Sequence, residues 1–325
     1  MNDQLKIIGQ YILPKHLLTF LAGKLANAKM GSLTTFLITQ FIKKYKIDMS
    51  EAKHSKPAQF DTFNDFFTRE LKPELRPIIE GDHNLAIPVD GSVSQQGDIK
   101  QGRIFQAKGH DFSLRELLGG RDDIAAPFDD GIFSTIYLAP KDYHRIHMPI
   151  TGKLEQMIFI PGDLFSVNPL TAENVPNLFA RNERAVAIFS TAVGPLAMVL
   201  VGATIVGSIE TVWEGTLKAQ KSKELQYWDY QDQNIVLEKG AEMGRFKLGS
   251  TIVALFAKDS IQFNETLAPS SVTRLGELFA TTTLVEVQET PSIVIDDTIQ
   301  IETDTDTDTD TDTDTDTDTD DKTQK

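Results

Sequence analysis

Apolar residues in the first fifty positions recur at helical spacing. Leu17, Leu18, Leu21 and Leu25 share a face behind Pro14, a residue suited to a helix start. Gly31-Ser32 interrupts the pattern, with Ser32 a candidate N-cap. Leu33, Phe36, Leu37 and Phe41 resume it, and Lys43, Lys44 and Lys46 close it with charges that complement the helix dipole. Residues 60–77, with Phe63, Phe66, Phe67 and two prolines, predict a short helix running into an extended connector. From about Leu85 the pattern changes. Ile132–Leu138, Lys153–Ile160, Ala185–Thr191, Leu196–Val201, Thr204–Trp213 and Thr251–Ala257 are rich in Val, Ile, Phe and Thr and predict strands, with a turn at Gly194-Pro195. Regular βαβ alternation is missing, which argues against a doubly wound parallel sheet. The expected fold class is α+β: a β-rich, mostly antiparallel domain preceded by N-terminal amphipathic helices.

Charge changes this picture because it is segregated. The net charge is −15 over 325 residues, but residues 302–325 alone carry −9 and residues 1–50 carry +5. The lysine-rich, apolar front has two readings. One is a helical hairpin docked on the core; the other is an interfacial anchor with lysines on anionic head groups. No apolar run reaches the ~18–20 residues of a spanning helix. A secretory signal ending at Ala26-Asn27-Ala28 is disfavoured by Lys24 and Pro14. At the other end, nine Thr-Asp repeats fill 303–320 without an apolar face, which predicts a disordered acidic tail. The chain has no cysteine, so disulfides, thiolate nucleophiles and Cys-ligated metals are excluded.

Candidate chemistry gathers at three places. Gly249-Ser250, ahead of Thr251-Ile252-Val253, puts a hydroxyl at the mouth of a strand beside a carbonyl unshielded by a Cβ. Ser250 Oγ could attack that carbonyl in an N-to-O acyl shift, although Gly-Ser alone is usually only a turn. A serine nucleophile needs a base. His144 and His147 lie together in Tyr143-His144-Arg145-Ile146-His147-Met148-Pro149, between Pro140 and Pro149, a segment expected to run largely outside regular structure. Their spacing could suit a metal pair, but no third ligand stands at a recognisable spacing. Pro88-Val89-Asp90-Gly91 places Asp90 at a bend, either as a plain turn residue or as the carboxylate that orients a histidine.

These three stretches, in this order, resemble the aspartate, histidine and cleavage motifs of phosphatidylserine decarboxylase proenzymes. Phe66-Phe67-Thr68-Arg69-Glu70-Leu71, Gln106-Ala107-Lys108-Gly109 and Asn182-Glu183-Arg184 are also similar to the bacterial family. The resemblance runs from the N-terminal helices to Leu278-Phe279 and leaves out the Thr-Asp tail. It implies that Asp90, His147 and Ser250 form a relay for self-cleavage between Gly249 and Ser250. Residue 250 then becomes a covalent pyruvoyl cofactor that takes the substrate amine as a Schiff base. His144 would bind substrate and supply or relay a proton. The implied reaction converts phosphatidylserine to phosphatidylethanolamine and CO2.

The resemblance also implies an organisation. A helical membrane-associating segment would occupy 1–60, a catalytic domain 61–285 and the tail 286–325. The mature chains would be 1–249 and 250–325, a heterodimer that a further pairing could double. The expected partners are phosphatidylserine and an anionic membrane surface, with no nucleic acid, and the expected place is peripheral, on the cytoplasmic side of the cell membrane. Arg69, Arg76 and Arg184 are candidates for the lipid phosphate. Three other readings stay open on the residues alone: a serine hydrolase built on Asp90, His147 and Ser250, a pyruvoyl decarboxylase of a soluble amino acid, and a non-catalytic membrane module. A phosphate loop is not among them, because no lysine follows Gly207.

Overall fold

The structure, a computed structural model, describes residues 3–204, 208–217, 224–247 and 250–283. The expected tail, and the Leu248 and Gly249 half of the expected cleavage motif, lie outside the described residues.

The core is a nine-stranded sheet. Its main path runs Gln226–Asp229, Gly152–Ile160, Arg184–Thr191, Gly194–Val201, Ser250–Phe256, Ile132–Leu138, Gly91–Asp98, Val272–Thr273; Val236–Leu237 pairs off this path. Neighbours along it are antiparallel. Both faces are buried. Ile252, Ala254 and Phe256 pack with Leu196, Met198 and Leu200 in one apolar cluster. Val253 and Leu255, pointing the other way, join Ala197, Val199 and Val201 in a second. Double burial explains why these strands read as continuous apolar runs rather than alternating ones.

A four-stranded sheet lies in the order Gly215–Thr216, Ile209–Thr211, Glu242–Phe246, Arg145–His147. Here the structure departs from expectation in one place. The strand expected over Thr204–Trp213 is Ile209–Thr211, because a tight turn with Gly215 at φ +74° folds it back on Gly215–Thr216; residues 205–207 lie outside the described set. The histidine segment runs largely outside regular structure, as expected, except at its centre. Arg145–His147 is a strand paired with Glu242–Phe246.

Three helices lead the chain: α1 (Asp3–Ile12), α2 (Lys15–Ala26) and α3 (Ser32–Tyr45). Ser32 begins α3 rather than capping it; the cap position is Gly31, at φ +57°. The first two helices keep their leucines and isoleucines out of the core. α2 buries Thr19 and Ala26, α3 buries Thr34 and Ile38, and α1 buries nothing. Leu17, Leu21, Leu25 and Phe36 are each more than half exposed. A fourth helix, α4 (Phe63–Phe67), starts on a capping box: Thr62 Oγ1 accepts from Asp65 N, and Asp65 Oδ2 accepts from Thr62 N.

Candidate active site

One edge of the large sheet gathers the candidate residues. Ser250 heads its strand and pairs with Leu138, the last residue of Ile132–Leu138. The chain leaves Leu138 through Pro140 and Asp142 and returns with Tyr143 and His144. On the far side of that strand, Ser92 pairs with Tyr137 and Gly91 with Thr273, so Asp90 sits two strands from Ser250, about 10 Å at the usual spacing. The backbone N–H of His147 donates to Pro88 O at 2.9 Å, drawing the aspartate and histidine segments together.

Ser250 is fully buried, and among the described residues its Oγ has no hydrogen-bond partner. An unpaired buried hydroxyl costs about 1–3 kcal/mol, so a plain turn residue is a poor account of it. His144 is also fully buried. Its Nδ1 lies 2.8 Å from Asp142 O, and since a carbonyl only accepts, Nδ1 carries the proton. Nε2 therefore presents a lone pair, and it too lacks a partner. Burial pushes the His144 pKa down to about 3. The ring of Phe67 stands 4.1 Å from the imidazole, centre to centre.

His147 is oriented differently from the expected relay. Its Nδ1 donates to Gly240 O at 2.8 Å, and the Tyr143 hydroxyl lies 3.3 Å from its Nε2. Burial lowers its pKa, and the Gly240 bond only partly offsets that. The carboxylate of Asp90 is held elsewhere. Arg76 donates to it from Nε at 3.0 Å and from Nη2 at 2.6 Å, and Leu275 N donates at 2.8 Å. Arg76 also holds Glu51 at 2.9 Å. Burial works against the Arg76 charge, but the two carboxylates outweigh it and raise the pKa. The His147 ring is thus bonded to Gly240 and Tyr143 and the Asp90 carboxylate to Arg76, and among the described residues no hydrogen bond joins the side chains of Asp90, His147 and Ser250.

Tyr143, Gly240 and Leu275 had no role in the sequence reading. Tyr143 stood inside the histidine motif, where a phenol next to an imidazole pair was the available signal. Gly240 and Leu275 act through backbone atoms, which side-chain identity does not reveal. Among the candidate phosphate ligands, Arg184 is spent. It is buried and donates to Leu117 O, Glu116 O and Asn182 O, and burial lowers its pKa to about 9. Gln106 and Asn182, from the other similar stretches, likewise clip backbone. Gln106 binds Ala172 O, Val175 O and Leu178 N, and Asn182 binds both polar backbone atoms of Phe165 and Gly202 O.

A sequence model of the phosphatidylserine decarboxylase family matches residues 63–281, and a second, described as PSD, matches residues 5–46. The chain belongs to the phosphatidylserine decarboxylase family, whose members are carboxy-lyases. It is similar to the phosphatidylserine decarboxylase proenzyme of Psychromonas ingrahamii, with 80% identity over 280 residues, 86% of this chain and 98% of that one. The proenzyme of Alteromonas mediterranea is 59% identical over 303 residues, covering 92% and 93% of the two chains. That of Shewanella pealeana is 63% identical over 282 residues, covering 86% and 98%.

Proposed function

We propose that this chain cleaves itself between Gly249 and Ser250, carries a pyruvoyl group at residue 250, and converts phosphatidylserine to phosphatidylethanolamine and CO2. The observation that carries the proposal is the family match over residues 63–281, with Ser250 Oγ and His144 Nε2 among the buried polar atoms that lack a partner within the described residues. An unpaired polar atom in a packed interior needs an explanation, and a reacting partner supplies one for these two. Residue 250 suits the group made from it: its side chain is small, buried and engaged by no hydrogen bond.

In maturation, Ser250 Oγ attacks the carbonyl carbon of residue 249 and the amide nitrogen leaves as a protonated amine, giving an ester; loss of the residue 250 Cα proton then breaks the Cβ–Oγ bond and releases the residue 249 carboxylate, and water hydrolyses the resulting imine to a ketone and ammonia. His147 takes the serine proton on Nε2, the nitrogen left free for it by the Nδ1–Gly240 bond, once Tyr143 yields that position. Asp90, fixed by Arg76, contributes a stationary negative charge near the imidazolium that forms. When bound to residue 250, the pyruvoyl ketone supplies an electron sink for a substrate amine. His144 holds a lone pair at Nε2 and must take up a proton before it can give one. An anionic substrate beside Nε2 raises its affinity for that proton.

The membrane reading rests on the helices. Among the described residues no helix is long and apolar enough to cross a membrane. The exposed leucines of α2 and the exposed Phe36, with seven lysines in the first fifty residues, suit an interfacial seat on anionic lipid. In this reading 1–60 is the membrane-associating segment, 61–285 the catalytic domain and 286–325 a tail, and the protein sits peripherally at the cytoplasmic face of the cell membrane. The mature form is a heterodimer of 1–249 and 250–325.

Intact mass under denaturing conditions tests the first step. The expected result is two chains, the smaller lighter by about 17 Da than a free serine terminus because ammonia is lost. A single intact chain that persists on incubation would overturn the pyruvoyl. Release of CO2 from phosphatidylserine vesicles tests the second step.

A further inference from the structure

A cavity of about 250 Å³ opens beside Asp90, lined by Gly91, Lys141, Asp142, Tyr143, Arg69 and Arg76 among others. At ~30 Å³ per water that is room for roughly eight waters, or a small polar head group. Most of its charges are answered within the protein. Asp90 and Glu51 are held by Arg76, and Arg274 Nη2 also donates to Glu51. Asp48 accepts from Ser50 N, and Asp142 Oδ2 accepts from Ala139 N.

Among the arginines of the lining, Arg69 is the exception. Only 5% of it is exposed, and among the described residues its one side-chain hydrogen bond runs from Nη2 to Lys141 O at 3.0 Å. Nε and Nη1 are buried without a partner. The guanidinium stands 5.5 Å from the Phe66 ring centre, and the next residue, Phe67, packs against His144. Leaving a buried cation with open donors is unfavourable unless an anion arrives. The Lys141 bond ties it to the loop that carries His144, so the open donors lie close to the group that would handle the substrate proton.

We infer that Arg69 is the anion-recognition residue of this site and takes the phosphodiester of the phosphatidylserine head group. This rests on the decarboxylase reading. The substrate carries two anions, and chemistry decides between them. A cation paired with the carboxylate would stabilise the ground state and lose its partner as CO2 departs, which raises the barrier. The phosphodiester persists through the reaction, and a planar guanidinium with adjacent donors matches two of its oxygens.

The test compares wild type with R69Q, using turnover of phosphatidylserine and calorimetric binding of dihexanoyl-phosphatidylethanolamine, which keeps the phosphodiester and lacks the carboxylate. The expected result is a rise of about 10–100-fold in both KM and the phosphatidylethanolamine Kd, the size of a lost charge-assisted hydrogen bond. A higher KM with unchanged Kd would move Arg69 to the carboxylate and overturn the inference. A lower kcat with both constants unchanged would leave Arg69 as an anchor for Lys141 alone, and would also overturn it. Should R69Q fail to fold, R69K, which keeps the charge, should raise both constants together by a smaller factor, and no change in either would sink the idea. If the wild type releases no CO2, the decarboxylase reading fails by itself, while the binding comparison still decides Arg69.

Discussion

His144 and His147 are three residues apart, yet their surroundings give them different work. His144 keeps a bare Nε2 in a fully buried site, whereas the Nε2 of His147 meets a phenol. H147Q should stay a single chain by intact mass, while H144Q should split into two and release no CO2. Equal cleavage in both variants would show that His147 is not the base of maturation. A second prediction concerns pH. An unfolded histidine titrates near 6.5, and His144 in the fold near 3. Between those values the unfolded chain binds a proton that the native one refuses. The contribution of His144 is therefore fully present above pH ~6.5 and falls, by up to about 1.4 kcal/mol per unit, as pH drops. Calorimetric Tm from pH 7 to 5 should fall more steeply for wild type than for H144Q. Parallel slopes would mean that His144 charges freely in the native state.

Among the elements, α2 inverts the usual rule by exposing Leu17, Leu21 and Leu25 and burying Thr19 and Ala26, and α3, though it buries Ile38, exposes Phe36. The double substitution Leu17→Glu with Phe36→Glu should therefore change stability by no more than about 0.5 kcal/mol per site, as for ordinary surface positions. The same pair should weaken flotation with anionic vesicles at least about tenfold, since each apolar side chain is worth ~1.5–3 kcal/mol in an apolar medium. Unchanged flotation with unchanged stability would remove the membrane role from this face. The helical periodicity was legible in the sequence; the direction of its apolar face was not, because an amphipathic stripe fits a core and an interface equally well. Strand identity was legible where both faces are buried, as in Ile132–Leu138, and misplaced over Thr204–Trp213, where the turn at Gly215 depends on a hairpin partner. Asn182 shows the same limit. Its motif was visible, but its three bonds to Phe165 and Gly202 are contacts made by the fold. N182A leaves those buried backbone groups unpaired and should cost about 3 kcal/mol in a denaturant midpoint measurement.

At the scale of the whole molecule, the site is a product of register. Asp90 and Ser250 are far apart in sequence and are brought within two strands of each other because antiparallel strands end together at one side of the sheet. The residue types were readable as candidates; their partners, Arg76 on Asp90 and Gly240 on His147, follow from long-range pairing that no local spacing encodes. Two glycines separate the sheet's stability from the alignment of its edge. At Gly91 an added Cβ would stand 2.4 Å from Tyr137 O, and at Gly131 it would stand 2.2 Å from Phe256 O. Both contacts are with backbone, so G91A and G131A must each push strands apart, and both should lower Tm. Gly131 precedes Ile132, at the end of that strand opposite Leu138, whereas Gly91 adjoins Asp90. Displacement at Gly91 moves the carboxylate out of line with Arg76 and the His147 segment; displacement at Gly131 leaves that edge in place. Self-cleavage followed by intact mass over time should be slowed at least about tenfold in G91A, the effect of misplacing one group of a relay by a fraction of an ångström, and remain near the wild-type rate in G131A. Equal slowing in the two variants would mean that maturation tracks the stability of the sheet, and that the position of Asp90 at its edge contributes nothing of its own.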